Sequence, residues 1–495
     1  MSESIIVVGA GICGLCTGLA LAKDGHQVTI IERDPPPPEG DPDEAFFSWN
    51  RRGAAQFRHP HAFLAVMSNL LEESFPDLID DFAAAGARKI TFQDMLPAEL
   101  AENYVPQQGD EKMWLLMCRR ATMETVFRRY AERSNAVQIM SNTRVTDVIT
   151  EMVDSHLAVK GVTITNADDT TREINADLVI DAGGRNSQFK SWLSSRGASF
   201  TMEDDDAEIV YYTRHYKLRP GVEEPPRTGK DRSAGDLGYM KYGVFPGEGG
   251  HFAVIICLPN HETELREAIK DGDTYDRICT SIPGLAPWVA ADKAEATTSS
   301  FGFGDIHAVW HHAVVDGKPA ALNFYSVGDA AVRTNPLYGR GCSTGIIHAH
   351  LLAKLVRDIN DPVERALTFD QWTEEELRPI FKASLAEDQR GIQRAKAILE
   401  GRELDDTGTF KKWLRAAFGD AIARASREQV HILRGAMRTF NLLEKPGDFL
   451  NDWRVRMTLF RYMLYGRKHN ASARLQRGPT RDEMLELLSE RDKAA

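Results

Sequence analysis

The sequence contains few cysteines and no long apolar run. Its six cysteines, at positions 13, 16, 118, 257, 279 and 342 of 495, are too sparse for a disulfide framework, so we expect them to be reduced. No uninterrupted apolar stretch is long enough to span a bilayer, and the apolar N-terminal segment follows MSES without the basic region of a signal peptide. These absences favour a cytoplasmic protein without stable membrane insertion.

Positive charge is also in deficit. The chain carries 60 Lys and Arg against 72 Asp and Glu, a formal net charge of -12, whereas binding nucleic acid requires a basic surface. Hydrophobic residues at 42% and charged residues at 27% lie within the ordinary globular range. The composition therefore predicts a soluble enzyme of about two to four lobes, with no nucleic-acid partner.

The N-terminal segment IIVVGAGICGLC is typical of a dinucleotide site. Gly9, Gly11 and Gly14 lie between a predicted buried strand and a predicted helix, where they suit a pyrophosphate held at the helix N-terminus. Glu32 ends the next predicted strand, in position to accept hydrogen bonds from an adenosine ribose. Strand, glycine turn, helix and acid together predict dinucleotide binding.

The same segment carries Cys13 and Cys16 in a CxxC spacing, which a redox dithiol or half of a zinc site also shows. A helix N-terminus lowers a thiol pKa, so this alternative has a physical basis. No second CxxC or suitably spaced histidine pair accompanies it, since His348 and His350 point to different faces of a predicted helix. We interpret both cysteines as packing residues and predict no metal site.

A basic cluster follows a proline-rich segment. The stretch RDPPPPEGDPDEAFF, residues 33–47, predicts a surface loop. Arg58, His59 and His61 then stand at the entrance of an amphipathic helix predicted over 61–75. Two interpretations of this cluster remain open: a capping and solubility cluster, or Arg58 and His61 placed beside an anionic cofactor.

Two further predicted strands end in glycine turns, at 177–187 and 321–346, so both can direct backbone toward a ligand at the carboxyl edge of a sheet. A single strand is predicted across 172–180. Strands between about 209 and 259 are expected to form a separate sheet, and the chain beyond about 359 has helical spacing.

Three motifs in this order, GAGICG with Glu32, DAGGRNS and GDAAVRTNPLYGRG, resemble the flavin-binding motifs of FAD-dependent monooxygenases of the aromatic hydroxylase fold. AAQFRHPHAFL, CRRATMETVFRR, DAGGRNSQFKSWL and VYYTRHY look most like the squalene-epoxidase-like and polyether-epoxidase branch. The resemblance implies an α/β fold: a Rossmann-like, para-hydroxybenzoate hydroxylase-like FAD-binding domain (1–200 and 321–365), a β-sheet substrate domain (201–320) and a helical C-terminal region (366–495).

The resemblance also implies residue roles. Noncovalent FAD would be bound by residues of all three motifs and of the CRRATMETVFRR segment: Gly9, Gly11, Gly14, Glu32, Arg33, Arg120, Asp181, Gly328, Asp329, Gly341 and Cys342. The candidate catalytic residues would stand where oxygen reacts beside the flavin ring: Arg58, His61, Pro336, Gly339 and Gly341.

The implied reaction is epoxidation or hydroxylation of an alkene-bearing or aromatic small molecule, in secondary metabolism, by a C4a-hydroperoxide formed from reduced FAD and O2. The motif Asp181-Ala182-Gly183-Gly184 departs from the Asp-Gly that many hydroxylases link to nicotinamide binding, and Arg333 stands where many have histidine. Electrons are therefore expected either from NAD(P)H or from reduced flavin supplied by a separate reductase. The oligomeric state stays open.

Three other functions compete with this one. An FAD-dependent reductase of the geranylgeranyl reductase type and a non-catalytic flavin-binding protein both fit the motifs. A flavin halogenase is disfavoured, because the WxWxIP stretch of those enzymes is absent from the sequence.

Overall fold

Strands and helices are interspersed along the described chain up to residue 333, and helices follow from there on. The computed structural model describes residues 2–61, 63–102, 104–135, 137–226, 231–402, 408–471, 473 and 477–489. Its strands are β1 (Ser4–Val8), β2 (Gln27–Ile31), β3 (Arg88–Thr91), β4 (Trp114–Met117), β5 (Val137–Met140), β6 (Arg144–Val153), β7 (His156–Thr165), β8 (Thr171–Asn175), β9 (Leu178–Asp181), β10 (Thr201–Asp206), β11 (Ile209–Leu218), β12 (Ala234–Asp236), β13 (Lys241–Pro246), β14 (His251–Pro259), β15 (Ala294–Ala296), β16 (Phe301–Phe303), β17 (His307–His312), β18 (Val314–Val315), β19 (Lys318–Pro319), β20 (Phe324–Ser326) and β21 (Val332–Arg333).

The α-helices separate these strands and then fill the C-terminal region. They are α1 (Ile12–Lys23), α2 (Pro42–Ser48), α3 (Ala65–Ser74), α4 (Pro76–Ala84), α5 (Ala98–Ala101), α6 (Arg120–Arg133), α7 (Phe189–Ser194), α8 (Thr263–Ala268), α9 (Gly272–Ser281), α10 (Ala286–Val289), α11 (Gly341–Asp358), α12 (Pro362–Leu399), α13 (Phe410–Glu428), α14 (Val430–Phe440), α15 (Trp453–Leu464), α16 (Arg467–Ala471) and α17 (Arg481–Ser489).

A five-stranded parallel sheet in the order β20-β9-β1-β2-β5 forms the centre of the fold. Val8 pairs with both Ile31 and Asp181, so the carboxyl ends of these strands are level. Ile5 and Val7 pack with α1 and α11 on one face, while Ile6 packs on the other. Burial on both faces explains why β1 is an unbroken apolar run.

An antiparallel sheet, β6-β7-β8, covers the second face of the parallel sheet, and Val159 and Val162 pack there against Ile6. The single strand predicted over 172–180 is wrong, because β8 belongs to this antiparallel sheet and β9 to the parallel one. The chain changes sheets at Asp177, whose carboxylate accepts hydrogen bonds from the Ser4 amide and hydroxyl at 2.8 Å each.

A separate antiparallel sheet in the order β12-β13-β14-β11-β15, with β16 also paired to β11, confirms the second sheet predicted near 209–259. One of its faces packs against α9 and α10 through Tyr216, Val254 and Ile256, which are almost completely buried. The opposite face is free to form the wall of a site.

The segment predicted as a surface loop over 33–47 contains a helix, α2, so that prediction is wrong at its C-terminal end. Pro42 occupies the first turn, where its missing N–H costs nothing, and the Asp41 side chain accepts a hydrogen bond from Glu44 N at 2.9 Å. The helix predicted over 61–75 begins later, at Ala65.

The predicted α/β class, with a Rossmann-like parallel sheet, antiparallel sheets and a helical C-terminal region, is confirmed. The bounds 1–200 with 321–365, 201–320 and 366–495 stay predictions. Within the described part of the chain, no helix combines the length and apolar content that a membrane crossing requires.

Candidate cofactor and active site

A cavity of about 690 Å³ runs from the carboxyl edge of the parallel sheet to the free face of the β11, β13 and β14 sheet. Every residue that the sequence assigned to the cofactor or to catalysis lines it: Gly9, Gly11, Gly14, Glu32, Arg33, Arg58, His61, Arg120, Asp181, Gly328, Asp329, Pro336, Gly339, Gly341 and Cys342. The fold therefore brings the three motifs to one place, while the role of each residue stays a prediction.

The glycine turn leaves open space at the N-terminus of α1. A Cβ atom at Gly9 would lie 2.5 Å from the Ala182 carbonyl oxygen, and one at Gly14 only 1.9 Å from the Gly9 oxygen, so both glycines permit close packing. A Cβ at Gly11 would meet nothing within 4 Å. Since Gly11 also caps α1 without a side-chain hydrogen bond, the free N–H groups and the open space suit a pyrophosphate.

Glu32 is held in place by three polar contacts within the protein. Its Oε2 accepts a hydrogen bond from Ala10 N at 2.8 Å, and its Oε1 accepts one from Asp34 N at 3.0 Å. Arg51 Nη1 lies 2.9 Å from Oε2. A carboxylate has about four acceptor positions, so Glu32 retains capacity for a ribose hydroxyl at the cavity wall.

A buried chain of ion pairs connects Glu32 to Arg120. Arg51 Nε donates to Glu124 Oε2 at 2.8 Å, and Arg120 Nε donates to Glu124 Oε1 at 2.6 Å. Burial alone would raise the pKa of the Glu124 carboxyl, but the two guanidinium groups hold it below its ordinary value. The sequence analysis missed Arg51 and Glu124, because WNRRGAA carries no motif and Glu124 reads as an ordinary helix residue.

The predicted candidate His61 is a neutral hydrogen-bond acceptor. Arg120 Nη1 lies 2.6 Å from His61 Nε2, and since a guanidinium can only donate, Nε2 must accept. His61 Nδ1 then donates to the His59 carbonyl oxygen at 2.8 Å. Burial and the Arg120 charge hold the pKa of His61 well below its ordinary value. Of this pair, Arg120 therefore carries the positive charge and His61 is neutral.

Arg58, the second member of that cluster, is tied to α2. Its Nε and Nη2 donate to the carbonyl oxygens of Phe46 and Phe47 at 3.2 and 2.9 Å, and its guanidinium lies 5.8 Å from the centre of the Phe301 ring. Arg58 therefore lines the cavity as a cation whose hydrogen-bond acceptors here are two neutral carbonyl oxygens at the end of α2. These bonds support the capping interpretation, and the charge leaves the anionic-cofactor interpretation open.

Two arginines that the sequence analysis did not select also line the cavity. Among the described residues, no carboxylate lies within 4.0 Å of Arg185 or Arg333. Arg185 stacks over the Phe303 ring at 5.3 Å, and Arg333 Nε donates to the His307 carbonyl oxygen. Two cations that form no direct ion pair, although the Asp329 carboxylate lies in the same cavity, favour an anionic ligand there.

The middle motif, DAGGRNS, forms a loop that is held by hydrogen bonds to its own aspartate. Asp181 is fully buried, and its two oxygens accept hydrogen bonds from Gly183 N at 3.0 Å and from Ser187 Oγ at 2.6 Å. The aspartate therefore holds the shape of the loop that faces Gly9, and its predicted cofactor contact stays a prediction.

The third motif is anchored by the long helix α12. Asn335 Nδ2 and the Tyr338 hydroxyl donate to Asp388 Oδ1 at 2.6 and 2.8 Å, and Asn335 Oδ1 accepts from Leu337 N and from the hydroxyl of Tyr211. Gly339, with φ of 65°, then turns the chain toward Gly341. These bonds fix the loop between the parallel sheet and the second sheet.

The second sheet supplies an apolar wall. Gly243 is paired with Ile255, and Phe245 with Ala253, so these side chains share the face of the sheet that lines the cavity. His215 joins them, and its Nε2 donates to the Arg58 carbonyl oxygen at 2.7 Å. Burial lowers the pKa of His215 to about 4, so this histidine is neutral near pH 7.

The cysteine pair packs at the start of α1 against the third motif. Cys13 Sγ donates to the Gly345 carbonyl oxygen at 3.2 Å and packs where a Cβ of Gly328 would stand, only 2.9 Å away. Burial raises the pKa of Cys16 to about 12 and that of Cys13 above its ordinary value. Both thiols are therefore held protonated, which disfavours the dithiol interpretation.

Comparison with known proteins agrees with this geometry. Residues 4–94 match the family model described as FAD dependent oxidoreductase. The chain is 29% identical over 382 residues to Protein Rv3254 of Mycobacterium tuberculosis, covering 73% of this chain and 74% of that protein. It is 25% identical over 370 residues to the ubiquinone hydroxylase UbiM of Neisseria meningitidis, covering 72% of this chain and 69% of that protein.

A solved structure of the flavin-dependent brominase Bmp2, a triple mutant, superposes with a TM-score of 0.57 at 16% identity and covers 94% of this chain and 99% of that chain. Together with the parallel sheet and its glycine turn, these likenesses define the fold as that of FAD-dependent oxidoreductases and monooxygenases.

Proposed function

We propose that the protein is an FAD-dependent monooxygenase that places one oxygen atom from O2 on an alkene-bearing or aromatic small molecule. The observation that carries this proposal is the continuity of one cavity from the glycine turn of β1, past the loop at 336–341, to the apolar wall of the second sheet. The likeness to a protein named a ubiquinone hydroxylase supports a hydroxylation reaction.

Noncovalent FAD fits the residues present. The open space before Gly11 and the N-terminus of α1 would hold the pyrophosphate, and Glu32 would hold the adenosine ribose. Asp329, in the turn that follows β20, would contact the ribityl and pyrophosphate region. When bound, FAD supplies the activation of O2 and the two-electron chemistry.

The protein's own contribution is placement and exclusion of water. Pro336, Gly339 and Gly341 form the part of the cavity wall between the two sheets, and the absence of side chains at the two glycines leaves room for reacting atoms. Phe245, Ile255 and Phe303 offer apolar surface that orients a hydrophobic substrate and excludes water. Neutral His61 and His215 add no positive charge beside that surface.

The finer assignment follows the sequence motifs. Epoxidation of an alkene, as in the squalene-epoxidase-like and polyether-epoxidase branch, and hydroxylation of an aromatic ring are both compatible with the apolar wall. The electrons come from NAD(P)H directly or from reduced flavin supplied by a reductase. Arg185 and Arg333 offer cations for an anionic electron donor as well as for FAD.

The decisive experiment is product analysis by mass spectrometry with prenyl, polyene and phenolic compounds under 18O2, with NAD(P)H alone or with an added flavin reductase. We expect one 18O atom in the product and none under anaerobic conditions. Alkene reduction without oxygen would favour the geranylgeranyl reductase type of activity. Bound flavin that neither donor reduces, with or without substrates, would favour a non-catalytic protein.

The state of the cofactor has a simpler test. Acid precipitation of the purified protein should leave yellow flavin in the supernatant, because the site holds FAD by backbone and carboxylate contacts. Flavin retained in the pellet would contradict noncovalent binding.

A further inference from the structure

Helix α15 is apolar on two opposite faces. Val455, Leu459 and Tyr462 are buried against α13 and α14. The opposite face carries Trp453, Met457, Phe460 and Leu464, which are 68%, 60%, 58% and 71% exposed. Their spacing of four, three and four residues places them within an arc of about 60° on the helix. We call this set the α15 ridge.

Positive charge flanks the ridge on both sides. At about 100° per residue, Arg454 and Arg461 lie along one edge and Arg456 along the other. The segment 453–468 contains five Lys and Arg and no Asp or Glu, in a chain whose net charge is -12. Among the described residues, Arg454, Arg456 and Arg461 have no carboxylate within ion-pair distance; Arg456 donates instead to the Leu450 carbonyl oxygen.

We propose that the α15 ridge lies on an anionic lipid surface, with its apolar side chains below the headgroups and its flanking arginines at the phosphates. This combination of Trp, Phe and Leu on one face with basic residues at the edges is what an interfacial helix requires. Trp453 on the ridge and Tyr465, which follows α15 and accepts a hydrogen bond from Arg461 at 2.9 Å, are the aromatic types that favour the membrane interface. The helix would lie on the bilayer and not cross it.

Charge argues against the other occupants. A second copy of the chain would set arginines of one α15 against those of the other with no acid between them, which is unfavourable. A protein partner would need a groove to receive four protruding side chains, whereas the boundary of a lipid layer adapts to a convex ridge. The inference does not rest on oxygen transfer, because lipid binding is measured without turnover.

The test is flotation of the full-length, FAD-loaded protein with vesicles of phosphatidylcholine alone or with phosphatidylglycerol added. We expect binding to the anionic vesicles that falls with salt. Trp453→Gln with Phe460→Gln should lower the partition coefficient at least about tenfold, and Arg454→Gln with Arg461→Gln should lower it on the order of fivefold for each arginine. Met202→Gln, at a residue 56% exposed on β10, is the matched control and should bind like the wild type.

Unchanged FAD content and melting temperature must accompany these losses; if the double ridge variant does not fold, Leu464→Gln at the helix end replaces it. The proposal is overturned if wild type does not bind anionic vesicles, or if the ridge variants and Met202→Gln bind equally. It is also overturned if light scattering finds a dimer that the ridge variants dissociate, or if an acidic protein occupies the ridge while lipid does not.

Discussion

Arg120 donates to His61 Nε2 over 2.6 Å while its Nε is held by Glu124 at the same distance. The position of the guanidinium in the cavity wall is thus set by a residue that does not line the cavity. Glu124 also holds Arg51, which in turn holds Glu32. A single buried carboxylate therefore positions both ends of the expected FAD contact.

Glu124→Gln should damage stability and FAD binding together. Glutamine keeps the shape but removes the one carboxylate that pairs with buried Arg120 among the described residues, while Arg51 retains Glu32 and Asp34. We expect a loss of roughly 3 to 5 kcal/mol in the free energy of unfolding and reduced FAD content. Glu132→Gln, on the same helix, is the control: Glu132 pairs with Arg128 but is 43% exposed, so its loss should stay under about 1 kcal/mol. Urea unfolding measures the stability of the two variants, and flavin titration measures their FAD binding. Equal losses in Glu124→Gln and Glu132→Gln would contradict the role of the buried network.

Glu32→Gln should weaken FAD by about 1 to 3 kcal/mol, the scale of a charge-assisted hydrogen bond left unmade. Asp34→Asn is the control that distinguishes a direct contact with FAD from an effect on the surrounding ion pairs. Asp34 Oδ2 lies 2.9 Å from Arg51 Nη1, which also pairs with Glu32, but Asp34 does not line the cavity. Isothermal titration with FAD should show the larger loss for Glu32→Gln. If Asp34→Asn weakens FAD equally, Glu32 acts only through the scaffold.

Gly341→Val should keep substantial FAD but uncouple oxygen consumption from product formation. A Cβ at Gly341 meets nothing closer than Asp329 Oδ1 at 3.9 Å, so the protein has room for the first atom of a side chain that would project into the cavity. Reduced enzyme mixed with O2 should release H2O2 without oxygenated product, and Gly341→Ala should give an intermediate result. Wild-type coupling in Gly341→Val would remove this loop from the oxygen-transfer site.

The double variant Cys13→Ala, Cys16→Ala should keep FAD and turnover, with a loss of stability on the order of 1 to 2 kcal/mol from the emptied packing sites. Melting temperature and product rate are the measurements. Loss of all turnover with FAD still bound would return the dithiol interpretation.

His348→Gln should flatten the dependence of stability on pH. Burial lowers the pKa of His348 to about 3 from an ordinary value of 6.5. Between these two pH values the imidazole is protonated in the unfolded chain and neutral in the folded chain. The stability that follows from the neutral ring is complete above pH 6.5 and is lost as the pH falls toward 3, at up to about 1.4 kcal/mol per pH unit. Urea unfolding at pH 7 and pH 5 should therefore show the wild type losing roughly 2 kcal/mol more than the variant. Equal slopes would mean that another group carries the proton.

The sequence predicted the elements whose signals are local. The unit β1, α1 and β2 could be read because an apolar strand, three glycines and an acid occur within about thirty residues, and the strand ends at Asp181 and Ser326 carry the same kind of signal. The wrong prediction at 33–47 came from the proline run at 35–38 and its acidic flanks, whereas Pro42 begins a helix, as proline often does. The strand over 172–180 was wrong because an exposed, mostly polar strand, β8, and a buried apolar strand, β9, adjoin in the sequence but belong to different sheets.

The supporting network could not be predicted in the same way. Arg51 and Glu124 are 73 positions apart, and Asn335 and Asp388 are 53 apart. Nothing in the local pattern distinguishes these residues from the many charged residues of surface helices. Only the three-dimensional packing gives Glu124 two arginines and buries it.

The parallel sheet has a consequence for biosynthesis. β20 completes that sheet beside β9, and α11 closes over α1 through Ile346 and Ala349. A chain emerging from the ribosome thus exposes the open edge of β9 and the apolar face of α1 until the segment up to residue 358 has been made. The complete FAD site would then form only late in synthesis, after the apolar surface of α1 and the edge of β9 have been covered.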